Sequence, residues 1–162
     1  MRVVDLAEVR AAKERASEEA LDAARRMLGR RALSRSEVAK RLDEQGVEPE
    51  DRDAALDRLE AEGAIDDRAL AETVAERVRS RRRAGARVVA QELARRGIAQ
   101  EDRVEEPSED DELERAVQLA EQRLRRGPID DVAERRVAGM LARRGFSSTI
   151  ARRAIADVKA RS

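Results

Sequence analysis

Cysteine, histidine, tryptophan and tyrosine are absent from this chain of 162 residues, and Phe146 is its only aromatic residue. Their absence excludes disulfides, Ser–His and Cys–His nucleophilic pairs, iron–sulfur clusters and thiolate or imidazole metal sites. Lysine is reduced to Lys13, Lys40 and Lys159, each at a position that reads as a solvated helix face or end, so a catalytic lysine is not expected. No apolar run approaches the length that crosses a bilayer. The opening MRVVDLAEVR also lacks the apolar core and small-residue cleavage site of a signal peptide. These absences predict a cytoplasmic protein that is not an enzyme and needs no cofactor and no metal.

What is present is charge and helix-forming sequence. Charged residues make up 43% of the chain, alanine, arginine, glutamate and leucine dominate, and nothing alternates with a strand period. Three glycines, Gly46, Gly97 and Gly145, anchor an internal repeat. Valine stands eight residues before each (Val38, Val89, Val137), leucine four before (Leu42, Leu93, Leu141), and Val47, Ile98 or Phe146 one after. Spacings of this size mark arrays in which each helical unit buries its apolar face on the next, and such arrays present extended binding surfaces.

Local signals divide each repeat into helices. In the first, Leu21, Ala24 and Leu28 form a stripe, Ser34 and Glu37 form a capping-box pattern, and a third helix carrying Leu56 and Leu59 lies between Pro49 and Gly63. In the second, Asp66 or Asp67 caps a helix with Leu70, Val74 and Val78. In the third, Val117, Ala120 and Leu124 precede a break at Gly127 and Pro128, Asp131 stands in capping relation to Glu134, and Ser147 or Ser148 caps a last helix carrying Ile155 and Val158. The middle repeat has Pro107 and Asp110 where the outer repeats place inward aliphatics. Its third helix is therefore expected to be weak, and EDRVEEPSEDDELE is read chiefly as a solvated linker.

The expected fold is all-α: three tandem three-helix repeats forming an elongated, curved array, with a weak third helix in the middle repeat. Residues 1–19 form an arm, disordered or a helical extension. Residues 20–65 are repeat 1, 66–111 repeat 2 with its acidic linker, and 112–162 repeat 3. Three tandem three-helix units, the stretch from Ile65 to Ala71 (IDDRALA), Gly85 to Ile98 (GARVVAQELARRGI) and Ala142 to Phe146 (ARRGF) followed by Ser147 resemble the RecX family of bacterial recombinase regulators. The resemblance covers about residues 20–158. It implies a small cytoplasmic protein that binds the RecA recombinase and its nucleoprotein filament on DNA, lies in the filament's helical groove, and restrains strand exchange and the linked ATPase and co-protease activities. Leu70 stands where the family commonly has an aromatic residue.

Net charge is zero, but the charges are segregated. Arg77, Arg79, Arg81, Arg82, Arg83, Arg87, Arg95 and Arg96 are opposed only by Glu92, and the acids between 101 and 114 follow directly. Guanidinium forks match carboxylate and phosphate geometry, so this block is a candidate partner-binding surface, weighed against a solvated helix end. Arg95–Arg96 and Arg143–Arg144 hold equivalent places before their glycines. They either repeat one contact or complement the negative ends of two helices. Phe146 reads as a core plug, and the acidic segment as a linker, a mask over the arginines or a mimic of DNA. The preferred function is a monomeric modulator of a RecA-type recombinase. The alternatives are a helical-repeat module binding DNA directly and a passive protein adaptor. Zero net charge opposes strong nonspecific duplex binding, leaving at most weak direct DNA contact, and aromatic poverty opposes single-strand stacking.

Overall fold

A computed structural model of the chain describes residues 5–105, 107–125 and 127–161; residues 1–4 of the expected arm, Glu106 of the acidic segment and the Arg82 side chain fall outside the described residues. The described residues are all-helical, with α1 (Leu6–Leu28), α2 (Arg35–Glu44), α3 (Pro49–Ala61), α4 (Asp67–Arg82), α5 (Ala86–Arg95), α6 (Glu109–Leu124), α7 (Asp131–Arg143) and α8 (Ser148–Ala160). The third helix of the middle repeat is reduced to one 3-10 turn, Gln100–Asp102.

The glycine motif has a local cause. The Val47 amide donates to the Leu42 carbonyl at 3.1 Å and the Gly46 amide to Asp43 at 2.9 Å, while Phe146 donates to Leu141 at 3.1 Å and Gly145 to Ala142 at 3.0 Å. This pair of bonds is the Schellman helix end, which needs a left-handed residue and sets the following side chain against the one five residues earlier. Gly46, Gly97 and Gly145 have φ of 77, 68 and 89°, where a Cβ is strained. The leucine four before the glycine and the apolar residue after it are thus two ends of one hydrogen bond. Helix starts are as specific. Ser34 and Glu37 form the capping box, Pro49 opens α3, and Asp66 accepts from the Ala69 amide at 2.8 Å. Ser147 caps α8.

Two expectations shift. Asp130, not Asp131, caps α7 through the Ala133 amide at 2.7 Å, placing Asp131 and Glu134 together in the first turn. The acidic stretch is only partly linker: Ser108 caps α6, and residues 109–114 form its opening turns, where carboxylates face the positive end of the helix dipole. At the other end, Asp5 caps α1, so the described part of the N-terminal segment is a largely exposed helical extension. Lys13–Glu50 and Arg58–Glu18 pairs tie it to α3.

The chain forms two compact units, Met1–Ala71 with Arg96–Arg103, and Glu72–Arg95 with Val104–Ser162. In the first, Leu21, Ala24, Val38, Leu42, Leu56 and Leu59 form the core. In the second, Val117, Leu124, Val137, Leu141, Ile155 and Val158 do so, with Phe146 buried among them as a plug. Leu42 and Leu141 are fully buried and Leu93 is 2% exposed, whereas Val132 stands 43% exposed. Leu42→Ala, Leu93→Ala and Leu141→Ala are each expected to lower unfolding free energy by about 2–5 kcal/mol, against no more than about 0.5 kcal/mol for Val132→Ala, as read by urea denaturation.

Candidate functional site

Each unit contains a junction in which the glycine turn of one repeat rests on the second-helix start of the preceding repeat. In the first unit the Ser34 hydroxyl donates to the Arg96 carbonyl at 2.5 Å while accepting from the Glu37 amide at 3.0 Å. Arg96 Nη2 reaches Glu37 at 3.2 Å and the Ala32 carbonyl at 3.2 Å. A Cβ on Gly97 would lie 2.3 Å from Ser36 Oγ. In the second unit α5 begins without a capping side chain of its own. The Gly85 amide donates to the Arg144 carbonyl at 2.8 Å, Ala86 to Glu112 Oε1 at 2.7 Å and Arg87 to the Gly145 carbonyl at 3.3 Å. Three consecutive orphan donors of a helix start are thereby satisfied by α6 and the α7–α8 turn. The backbones touch: a Cβ on Gly85 would meet Gly145 and Phe146 main-chain atoms at 2.8 Å, and one on Gly145 would meet the Val88 amide nitrogen at 2.7 Å. Ser34 and Gly85 stand at the same distance before their own repeat glycines, so the junctions are equivalent.

This geometry sorts the arginines. Arg96 is 12% exposed and engaged by Glu37, so it serves the first junction and not an outer surface. Arg95 is exposed and pairs with Glu92 at 2.6 Å. Arg87 donates to the Ala142 carbonyl at 3.4 Å, beside the turn holding Arg143 and Arg144. Arg77 and Arg81 project from the exposed face of α4 with no ion pair among the described residues, Arg79 is half-buried, and Arg83 donates to Gln122 Oε1 at 2.6 Å. Arg83 also takes φ 48°, the left-handed position after α4 that glycine fills at other helix ends. Arg82 belongs to the last turn of α4, and its side chain is outside the described residues.

A cleft of 620 Å³ lies beside α6 and α7, lined among others by Arg123, Arg135, Arg136 and Arg143 over an apolar floor that includes Val132 and Met140. The one acid on its wall, Asp130, is occupied as the α7 cap. Sequence reading missed Arg123, Arg135 and Arg136. The seven-residue spacing of Arg136 and Arg143, with Gly139 and Met140 between, places them on one α7 face and was the available signal. Several arginines of the first unit behave differently. Arg35 bonds Asp57 and Glu60 at 2.8 and 2.6 Å, Arg52 bonds Asp43 at 2.7 Å, and Arg25 and Arg58 both reach Glu62 at 3.1 Å. The Arg25 guanidinium, then that of Arg58, holds the Glu62 carboxyl below its ordinary range. Among the described residues no cluster of acids is arranged to hold a metal ion, and no helix is long and apolar enough to cross a membrane.

The repeats, their junctions and this fold define a helical-repeat protein of a recognised class. Residues 20–59 match the family described as RecX, first three-helix domain, and residues 109–155 that described as RecX, third three-helix domain. The chain is 39% identical to the regulatory protein RecX of Mycobacterium sp. (strain KMS), over 78% of this chain and 74% of that protein. It is 40% identical to the regulatory protein RecX of Halorhodospira halophila, over 87% and 89%. The crystal structure of RecX from Lactobacillus salivarius shares the fold with a TM-score of 0.81 over 91% of this chain and 99% of that one, at 20% identity. The chain belongs to the RecX family, whose curated relatives here are regulatory proteins.

The junction geometry ranks the glycines. Gly46 has positive φ but open space around it, Gly85 has a backbone neighbour without positive φ, and Gly145 has both. Gly46→Ala is expected to cost about 1–2 kcal/mol from strain alone, Gly85→Ala about 1–3 kcal/mol from the clash, and Gly145→Ala about 3–4 kcal/mol from the two together. Thermal melts that place Gly46→Ala and Gly145→Ala together would show that the second junction does not form.

Proposed function

We propose that this protein regulates a RecA-type recombinase by binding the recombinase and its filament on DNA, and that it acts as an inhibitor of strand exchange and of the linked ATPase and co-protease activities. The reading rests on membership of the RecX family and on one observation from the fold. Arg77 and Arg81 of α4 and Arg135, Arg136 and Arg143 of α7 have no ion pair among the described residues, while Arg35, Arg52 and Arg58 around α2 and α3 are paired with acids. Unpaired guanidinium groups on a folded surface are available to an acidic protein groove, where charge steers encounter and fixes register.

The residues assigned to the partner are Arg77, Arg81, Arg82, Arg83, Arg87, Arg143 and Arg144, joined by Arg135 and Arg136 of the cleft. Arg79, Arg95 and Arg96 were grouped with them by sequence; Arg79 is set apart because it is half-buried. Arg96 is withdrawn because Glu37 occupies it, and Arg95 because Glu92 does. The protein works as a non-enzymatic monomer in the cytoplasm, since the repeats supply one another's neighbours and the function requires only occupancy of the filament.

The test compares inhibition of DNA-stimulated ATP hydrolysis by RecA for the parent and for two variants, Arg77→Glu with Arg81→Glu and Arg135→Glu with Arg136→Glu. Each variant should keep its helical signal, because these side chains are exposed. Each should also need about tenfold more protein for half-inhibition, since repulsion replaces attraction at the interface. Undiminished inhibition by both variants would mean that another surface binds. Equal affinity for bare DNA and for the filament, lost in parallel as salt rises, would transfer the assignment to direct DNA binding.

A further inference from the structure

Apart from the α6–α7 cleft, the second unit has a smaller pocket of 240 Å³ between the end of α4 and the middle of α6. It is lined by Arg79, Arg83, Arg115, Gln118, Leu119 and Gln122, so three guanidinium groups share it with no carboxylate on its wall. Among the described residues, Arg79 Nε and Arg115 Nη2 are buried with no hydrogen-bond partner. Arg115 Nε donates to the Asp111 carbonyl at 3.2 Å, and Arg83 donates to Gln122 Oε1 at 2.6 Å. Leu119, 6% exposed, makes the wall apolar.

Three guanidinium groups around one pocket, with no carboxylate lining it, leave a positive field there that nothing on the wall offsets. Like charges brought to one pocket repel one another. A single bound oxyanion offsets that repulsion, since its oxygens accept from several guanidinium nitrogens at once. The volume corresponds to roughly eight waters at about 30 Å³ each, enough for a phosphoryl group or a linked pair of them.

We propose that this α4–α6 pocket is an oxyanion site that takes a phosphoryl group, free or carried by a nucleotide, through Arg79, Arg83 and Arg115. The assignment goes beyond regulation of a recombinase and can be measured on the protein alone, so its failure is separable from that of the filament reading.

The experiment is isothermal titration of the full chain with pyrophosphate, and separately with ADP, in chloride buffer of constant ionic strength. Saturable binding of one anion per chain is expected, with a parallel rise in melting midpoint because the ligand binds only the folded state. Arg115→Gln and Arg79→Gln should each weaken binding about tenfold or more, the loss of a charge-assisted bond. Arg125→Gln, which removes an exposed pair with Glu121 on the same helix, should leave it unchanged. Equal binding of the two ligands would assign the site to phosphate alone, and tighter ADP binding to a nucleotide. Because Arg115→Gln could disturb α6, its melting midpoint without anion is measured first; Arg79→Gln gives an independent reading from α4. A weak, unsaturated response shared by parent and variants would overturn the proposal, as would binding of a short oligonucleotide with no binding of pyrophosphate.

Discussion

The second junction, where α5 starts against the α7–α8 turn, is the contact on which much of the second unit depends. Its three amides at Gly85, Ala86 and Arg87 have no local acceptors, so the first turn of α5 is satisfied only when Arg144, Gly145 and Glu112 are in place. The helix start and the tertiary contact are the same set of hydrogen bonds. Neither glycine can carry a side chain without pushing two backbones apart. Local and long-range order therefore form together, as expected of an array whose units are stabilised by their neighbours. The first junction reaches the same result with side chains, using the Ser34 hydroxyl and the half-buried Arg96–Glu37 pair.

Sequence revealed much of this because the repeated residues are the ones that terminate and bury helices. A leucine with a glycine four positions later and an aliphatic or aromatic residue directly after it is a helix end written out, and Val38, Val89 and Val137 lie buried as the repeat requires. Gly85 was visible as part of a family-like segment but not as a contact, since nothing local says that Gly145 is opposite. The acidic segment misled for a related reason. Composition marked it as solvated, yet Ser108 caps a helix within it and Glu112 serves the start of α5. An acid that caps a helix remote in sequence looks like any other acid.

The arginines were the least legible part. Arg96 and Arg144 hold the same place before their glycines, but the first junction offers Arg96 the Glu37 carboxylate, while Val88 stands at the corresponding position in the second. One residue in the partner helix decides whether an arginine is structural or free. Sequence offsets alone make the two equivalent, and only the pairing separates them. Arg123, Arg135 and Arg136 were passed over because they are scattered along the chain, and α6 and α7 bring them to one cleft.

This division has an energetic side. Pairing arginines with acids, as around α2 and α3, gives modest stabilisation at an exposed surface and leaves little field beyond it. Arg77, Arg81, Arg135, Arg136 and Arg143, without ion pairs among the described residues, keep a local positive potential that self-repulsion opposes, in a chain whose net charge is zero and whose acids were numerous enough to neutralise it. Folding gains nothing from that arrangement. The acids that follow in sequence are committed to helix starts instead: Glu109, Asp110, Asp111 and Glu112 fill the first turn of α6, and Glu112 also accepts from the start of α5, so they leave those arginines their positive field.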